Sequence, residues 1–455
     1  MVERETEAHA EMKIAGIIAE YNPFHSGHAH HIRETRRLSG CDFVVVCMAG
    51  SYTQRGEAAC LDKWSRAQSA LLCGADAVFE LPALWAVRPA DAFARGGVAI
   101  LAGLGCDCLS FGSEAAELPL LRALAELRED EPESLAAAVR GGLEQGKSHA
   151  RARGEALAAH LNLPPELLNS PNLILGAEYV RAAGALGAEL EIIPIPRHGR
   201  YHSAALGAQP EAAAPGSGGA GTQPAVHRSG CAAGGEAEAA HRPGGAADKE
   251  AAASGATPAG GFASASAIRA ALAAGRMEEA LACVPPAARA LLAAAPRMHA
   301  PDDLLLHALR RMTRAKLENL PDAPEGLGDR VAHCAQAAAS RAELIEAVKC
   351  KRYTYARISR LCAHALLELD RDLCARHPLP EYARLIGMRA DARSLLAELK
   401  RRATLPITSD ATRLAGSEVF QLECRATDLR ALQCDDPAVR AAGQEFTQKF
   451  VRVQD

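Results

Sequence analysis

The sequence predicts an α/β protein whose core is a parallel sheet covered by helices on both faces, followed by a second, α-helical region. Three observations carry the prediction. Short β-rich runs alternate with longer helical ones from Lys13 onward, the pattern turns to amphipathic helices after residue 300, and 455 residues are more than one ordinary core holds.

In chain order, strands are expected at 14–18, 43–46, 77–81 and 108–111, with a fifth at 191–195. The stretches 27–38, 62–73 and 90–104 have the length and apolar spacing of helices, and 120–187 is Ala/Leu-rich and helical. Residues 1–12 are charged rather than apolar and read as a frayed extension, not a secretory signal. Residues 206–262 differ in kind. Ala, Gly and Pro fill 36 of these 57 positions, and Val226 is the one large aliphatic between Ala208 and Gly261. Such a stretch cannot bury enough apolar surface to fold, so a disordered insertion is expected. The catalytic unit is then expected over 13–205 and 263–299, and the helical region over 300–455.

Bulk composition excludes several classes. With 49% hydrophobic and 23% charged residues, and no run near the roughly 18 apolar residues of a membrane span, a soluble cytosolic protein is expected, with no membrane and no evident protein partner. The 14 cysteines are scattered, many in apolar runs and without a C-x-x-C pair, so they read as reduced thiols and no metal site is assigned. Residues 301–455 carry 25 Lys+Arg against 22 Asp+Glu in a chain of net charge −4. That asymmetry is too small to indicate a nucleic acid by itself, so local clusters must be weighed separately.

The strongest chemical signal is the turn after the first strand, Tyr21-Asn22-Pro23-Phe24-His25-Ser26-Gly27-His28, which opens a helix. A helix start above a strand end offers unpaired N–H groups and partial positive charge, which favours phosphate. Gly27 lets phosphate come close. His25 and His28 are placed to hydrogen-bond phosphate oxygens as negative charge shifts onto them, stabilising the transition state electrostatically. His30 and His31 follow at once and read as helix-face residues; a histidine-rich stretch alone would point to metal affinity or to nothing.

Together with Met48-Ala49-Gly50-Ser51-Tyr52-Thr53-Gln54-Arg55-Gly56-Glu57, Asp62-Lys63-Trp64, Phe111-Gly112-Ser113-Glu114, Asn172-Leu173-Ile174-Leu175-Gly176, and Arg197 with Tyr201-His202, this turn resembles the HxGH nucleotidyltransferases and, within them, the tRNA(Met) cytidine acetate ligases. The resemblance implies a Rossmann-like nucleotidyltransferase domain followed by an α-helical C-terminal domain. It implies that ATP and acetate form acetyl-adenylate and pyrophosphate, after which the exocyclic amine of the wobble cytidine of elongator tRNA(Met) takes the acetyl group. The chemistry of the first half is sensible, since acetate becomes an electrophile only once its oxygen is turned into a leaving group. ATP contacts carry over to Ile18, Ala19, Glu20, Tyr21, Asn22, Pro23, Phe24, His25, Ser26, Gly27, His28, Ala29, His30 and His31, and to Gly112, Asn172 and Arg197. Mg²⁺ is expected with the triphosphate.

Ser264, Ser266 and Arg269 resemble a second phosphate motif, a Ser-rich turn into a helix; without the resemblance they read as a helix cap. The long Ala/Gly insertion before this motif departs from the family pattern. Gln54, Arg55 and Lys63 read either as groups reaching substrate or as a salt-bridged surface loop. Lys351, Arg352, Tyr353, Arg357 and Arg360 combine cations with a tyrosine, as RNA phosphates and unpaired bases require, and read equally as a solvated helix face or a domain contact. Two rivals remain: an adenylyltransferase for a pantetheine or nicotinamide nucleotide, which the long helical tail disfavours, and a non-catalytic RNA-binding protein, which intact His25, Gly27 and His28 disfavour.

Overall fold

The computed structural model describes residues 12–129, 131–147, 149–168, 170–197, 262–324 and 326–454. The expected N-terminal extension up to residue 11, Tyr201 and His202, and the expected insertion from 206 up to residue 261 lie outside the described residues.

Continuous apolar runs form β1 (Ile14–Ala19), β2 (Phe43–Ala49), β3 (Ala77–Leu81) and β4 (Cys108–Ser113), and β5 (Glu191–Pro196) closes one edge. β1 pairs with β2 and β4, β2 with β3, and β4 with β5, all in parallel. Alternate side chains enter opposite layers. Ile14, Ile18, Val45, Cys47 and Phe79 belong to one apolar cluster, and Ala15, Ile17, Val44, Val46 and Val78 to the other. Burial on both faces is why these strands read as unbroken hydrophobic runs.

The helices are α1 (Ser26–Ser39), α2 (Lys63–Leu72), α3 (Ala83–Ala86) and α4 (Ala90–Gly103), then α5 (Leu118–Glu129), α6 (Glu133–Glu144), α7 (His149–Leu161), α8 (Pro165–Leu168) and α9 (Pro171–Ala185). α4 lies close on β1 because two glycines admit it. A Cβ on Gly16 would sit 2.6 Å from a Leu101 methyl, and one on Gly97 would sit 2.7 Å from Ile18. Along the order β5-β4-β1-β2-β3 the direction of strand addition reverses at β1. A crevice therefore opens beyond the carboxyl ends of β1 and β4, where ligands of such sheets bind.

The helical C-terminal region is present. Helices at Asp302–Arg311, Leu327–Ala337, Arg341–Val348 and Tyr355–Leu367 surround their own core of Leu305, Leu309, Val331, Leu344, Ile358 and Leu361. The helix Tyr355–Leu367 serves two cores, since Ala363 and Leu367 belong to the cluster on one face of the sheet. Beyond it the structure departs from the expectation of helices up to 455. β6 (Ala383–Arg389) pairs antiparallel with β3, β7 (Ile407–Thr408) and β8 (Val451–Val453) pair with β6, and the sheet gains three strands. A seven-residue strand among amphipathic helices carries no local sign of its partner, because the pairing joins positions some 300 residues apart. No helix among the described residues is long and apolar enough to cross a membrane.

Candidate active site

A cavity of about 280 Å³ occupies the crevice at β1 and β4. His25 caps α1: its Nδ1 accepts from the Gly27 N–H at 3.1 Å, while Nδ1 of His28 accepts from the His25 N–H at 3.2 Å. This is a capping box built from imidazoles, in positions where a hydroxyl and a carboxylate usually serve. The two rings stack with centroids 3.7 Å apart. With both Nδ1 atoms accepting, the neutral tautomer of each ring carries its proton on Nε2, which is left as a donor. Burial, reinforced by Arg197, lowers the pKa of His25 to about 3. Burial, then His25, Arg197 and His31, holds His28 well below its usual range, and burial with Arg197 and His30 lowers His31 to about 3. At neutral pH the site therefore presents uncharged imidazole donors beside guanidinium groups.

The sheet and its loops bring the remaining groups to this cavity. Ile18, Ala19, Glu20, Tyr21 and Asn22 come from the end of β1, Gly112 from β4, Arg197 from just after β5, and Asn172 from the start of α9. The Asn172 amide donates to Glu114 Oε1 at 2.6 Å, and the Leu173 N–H donates to Glu114 Oε2 at 2.9 Å, so Glu114 fixes the start of α9. Ser264 caps the helix Ala265–Ala273, and with Ser266 and Arg269 it forms the facing wall. Arg269 also donates to the Asn22 carbonyl at 2.7 Å, tying the two predicted phosphate motifs together. From the loop after β2 come Gln54 and Arg55. The buried Arg66 of α2 donates to the carbonyls of Glu20, Ala49, Gly50 and Leu61, clamping the ends of β1 and β2.

Other predicted residues stand apart from the cavity wall. Phe24 and Ala29 pack in the core, and Ser26 donates to the Cys283 carbonyl at 3.0 Å. Gly27 and His30 line a smaller adjoining cavity of about 100 Å³. Pro23 shapes the turn. His31, read from the residues alone as a helix-face group, faces the cavity and meets Ser110 Oγ at 3.2 Å.

Lys63 lies in the core, neither reaching substrate nor sitting in a salt-bridged surface loop. It is 0% exposed, in contact with Glu80 and Glu445 and 2.9 Å from Glu423 Oε1, while Arg384 joins the same carboxylates at Glu80 and Glu445. Burial works against its ammonium charge, the three carboxylates outweigh it, and the pKa is raised. An ammonium so enclosed reaches neither substrate nor solvent. The cationic run of the helical region is also largely engaged within the protein. Tyr353 is buried, Arg357 donates to the carbonyls of Asp322 and Pro324, and Arg360 pairs with the Asp322 carboxylate at 2.8 Å. The buried Tyr353 ring offers no open face for a base, whereas Lys351 and Arg352 are exposed.

Sequence reasoning missed the apolar wall, formed by Phe93, Phe111, Leu175 and Tyr179, with the Phe111 and Tyr179 rings 5.2 Å apart. Its helical part is legible in principle, because positions 172, 175 and 179 share one face of a helix. Phe93 has no such signal.

A family model for the HIGH nucleotidyl transferases matches residues 12–215 and 248–445. The chain is 30% identical to a tRNA(Met) cytidine acetate ligase of Acetivibrio thermocellus, over 97% of this chain and 100% of that protein. It is 34% identical to the protein of that name from Latilactobacillus sakei, over 92% and 93% of the two chains. Its structure matches the crystal structure of Thermotoga maritima TmcAL bound with alpha-thio ATP, with a TM-score of 0.78 and 25% identity over 98% of this chain and all of that one. The chain thus belongs to the tRNA(Met) cytidine acetate ligase family of HIGH nucleotidyl transferases.

Proposed function

We propose that the enzyme joins acetate to the N4 amine of the wobble cytidine of elongator tRNA(Met), in two steps at the one cavity. ATP and acetate first give acetyl-adenylate and pyrophosphate; the amine then displaces AMP. The observation that carries the reading is the pair of neutral, Nδ1-tethered histidines beside Arg197 and Arg269. Donors held by the backbone before the substrate arrives need no reorganisation as charge develops on the α-phosphate oxygens, and that is where electrostatic stabilisation is strongest. His25 and His28 take this role, with Gly112, Asn172 and Arg197 placing the nucleotide and Ser264, Ser266 and Arg269 holding the distal phosphates. Relatives named tRNA(Met) cytidine acetate ligase, and the Thermotoga maritima TmcAL structure bound with alpha-thio ATP, support the reading.

Mg²⁺ enters this reading with the triphosphate, since that ion keeps most of its waters and takes few protein carboxylates. Among the described residues the grouping of three close carboxylates is Glu80, Glu423 and Glu445, and Lys63 fills its centre. Neither the cavity nor that cluster forms a dedicated Mg²⁺ cage. Exposed Lys351 and Arg352, with Arg55 at the cavity, supply the cationic path for the RNA, and the enzyme works in the cytosol with its tRNA.

The direct test is ATP–pyrophosphate exchange. Exchange is expected only when acetate is present and without any nicotinamide or pantetheine nucleotide. Exchange that ignores acetate and responds to one of those nucleotides would replace this reading with that of a small-molecule adenylyltransferase.

A further inference from the structure

Glu20 follows β1 in a cavity that also holds His25, His28, Arg55, Arg197 and Arg269, and a carboxylate there repels a triphosphate. Its Oε1 accepts from the Gln54 N–H at 2.6 Å. Among the described residues its Oε2 takes no hydrogen bond, and the residue lines the cavity. Gln54 lines the same cavity, and its side-chain Nε2 is buried without a hydrogen-bond partner. A buried amide donor left unpaired is costly unless a ligand oxygen meets it.

We propose that Glu20 is the base that accepts the proton of the attacking amine during acetyl transfer, with the Gln54 side-chain amide donating to the acetyl carbonyl oxygen. The inference rests on the two-step reading above and deepens it. The lone pair of a cytosine N4 amine is delocalised into the ring, so the nitrogen keeps both protons until it bonds to carbon. As the new C–N bond forms, one N–H bond breaks towards Glu20 Oε2. The bond between the acetyl carbon and the AMP oxygen then breaks with its electron pair, which leaves on AMP. Glu20 later returns the proton to solvent.

Several groups face this carboxylate: Gln54, Arg55 and Glu57 on the loop after β2, Arg66 of α2, Arg269 of the helix Ala265–Ala273, and Tyr179 of α9. Burial raises the Glu20 pKa above the ordinary carboxylate range, and the Gln54 N–H and the three arginines oppose that rise only in part. A base with a raised pKa is the better proton acceptor near neutral pH.

The test measures, on full-length enzyme, acetate-dependent ATP–pyrophosphate exchange beside single-turnover transfer of labelled acetate to tRNA. Glu20→Gln keeps an oxygen for the Gln54 N–H. It is expected to slow transfer by about 100-fold, far more than it slows exchange, and to abolish the limb of the pH profile on which transfer rises with pH. Glu20→Asp keeps that limb at a reduced rate, and Gln54→Met lowers transfer without moving it. If Glu20→Gln slows both half-reactions equally, or transfers normally with an unchanged pH profile, Glu20 is not the base. If wild-type enzyme exchanges but never transfers, the two-step reading itself fails, and this inference with it.

Discussion

At His25 one imidazole caps a helix and faces a cavity, and the two tasks are linked. The cap fixes Nδ1 as an acceptor, so Nε2 is left as the donor. His25→Ala or His28→Ala removes one such donor and is predicted to cut pyrophosphate exchange by about 100- to 1,000-fold, with tRNA affinity little changed in a gel-shift. The lowered pKa also makes a stability prediction. Unfolded, the ring takes a proton below about pH 6.5, whereas the folded ring stays neutral down to about pH 3. Below that upper limit the unfolded state binds more protons, so stability is full above pH 6.5 and is lost as pH falls towards 3, by up to about 1.4 kcal/mol per pH unit for this group. Thermal melts of wild-type and His25→Asn apoprotein across pH 4–7 check this; the variant should show the shallower slope. Lys63 behaves in the opposite way. Lys63→Met leaves Glu80 and Glu445 with Arg384 alone and strips Glu423 of its ammonium partner, and should cost about 3–5 kcal/mol of stability. Normal melting with a raised KM would return Lys63 to the substrate.

The loop after β2 is the element through which the helical region meets the site. Its turn closes with the Thr53 N–H donating to the Glu57 carbonyl at 2.9 Å, and Ser359 donates to the Arg55 carbonyl. Gly56 has φ +72°, and a Cβ there would lie 2.5 Å from the Ser359 carbonyl oxygen. Gly56→Ala is therefore predicted to pry the helix Tyr355–Leu367 from the loop, at a cost of about 1–3 kcal/mol, read as faster hydrogen exchange in that helix. Much of this scale was legible. β1 to β4 announce themselves as apolar runs because both faces are buried, and the His25–His28 turn is local, so its spacing shows in the chain. The burial of Lys63 and the antiparallel place of β6 are not local. They arise from partners such as Glu423 and β3 that only the folded chain brings near, and a lysine before a tryptophan looks the same in a surface loop.

At the scale of the whole molecule, two cores share one helix. The chain leaves the sheet after β5, builds the helical region, and returns through β6 to β8 to lie beside β3. A tRNA held by that region would thus be held by helices that pack on the sheet through Ala363 and Leu367. Affinity for tRNA should fall steeply with salt, and replacing Lys351 and Arg352 by Ala should flatten the salt slope by about 2 without slowing acetate-dependent exchange. The central claim, that one cavity activates acetate and hands it to RNA, is tested most directly by incubating the enzyme with ATP, labelled acetate and elongator tRNA(Met), then digesting the tRNA to nucleosides. Label is expected on a single N4-acetylcytidine from the wobble position, absent when ATP is omitted and absent with His28→Ala. Acetate-dependent pyrophosphate release with no label in any nucleoside would contradict it.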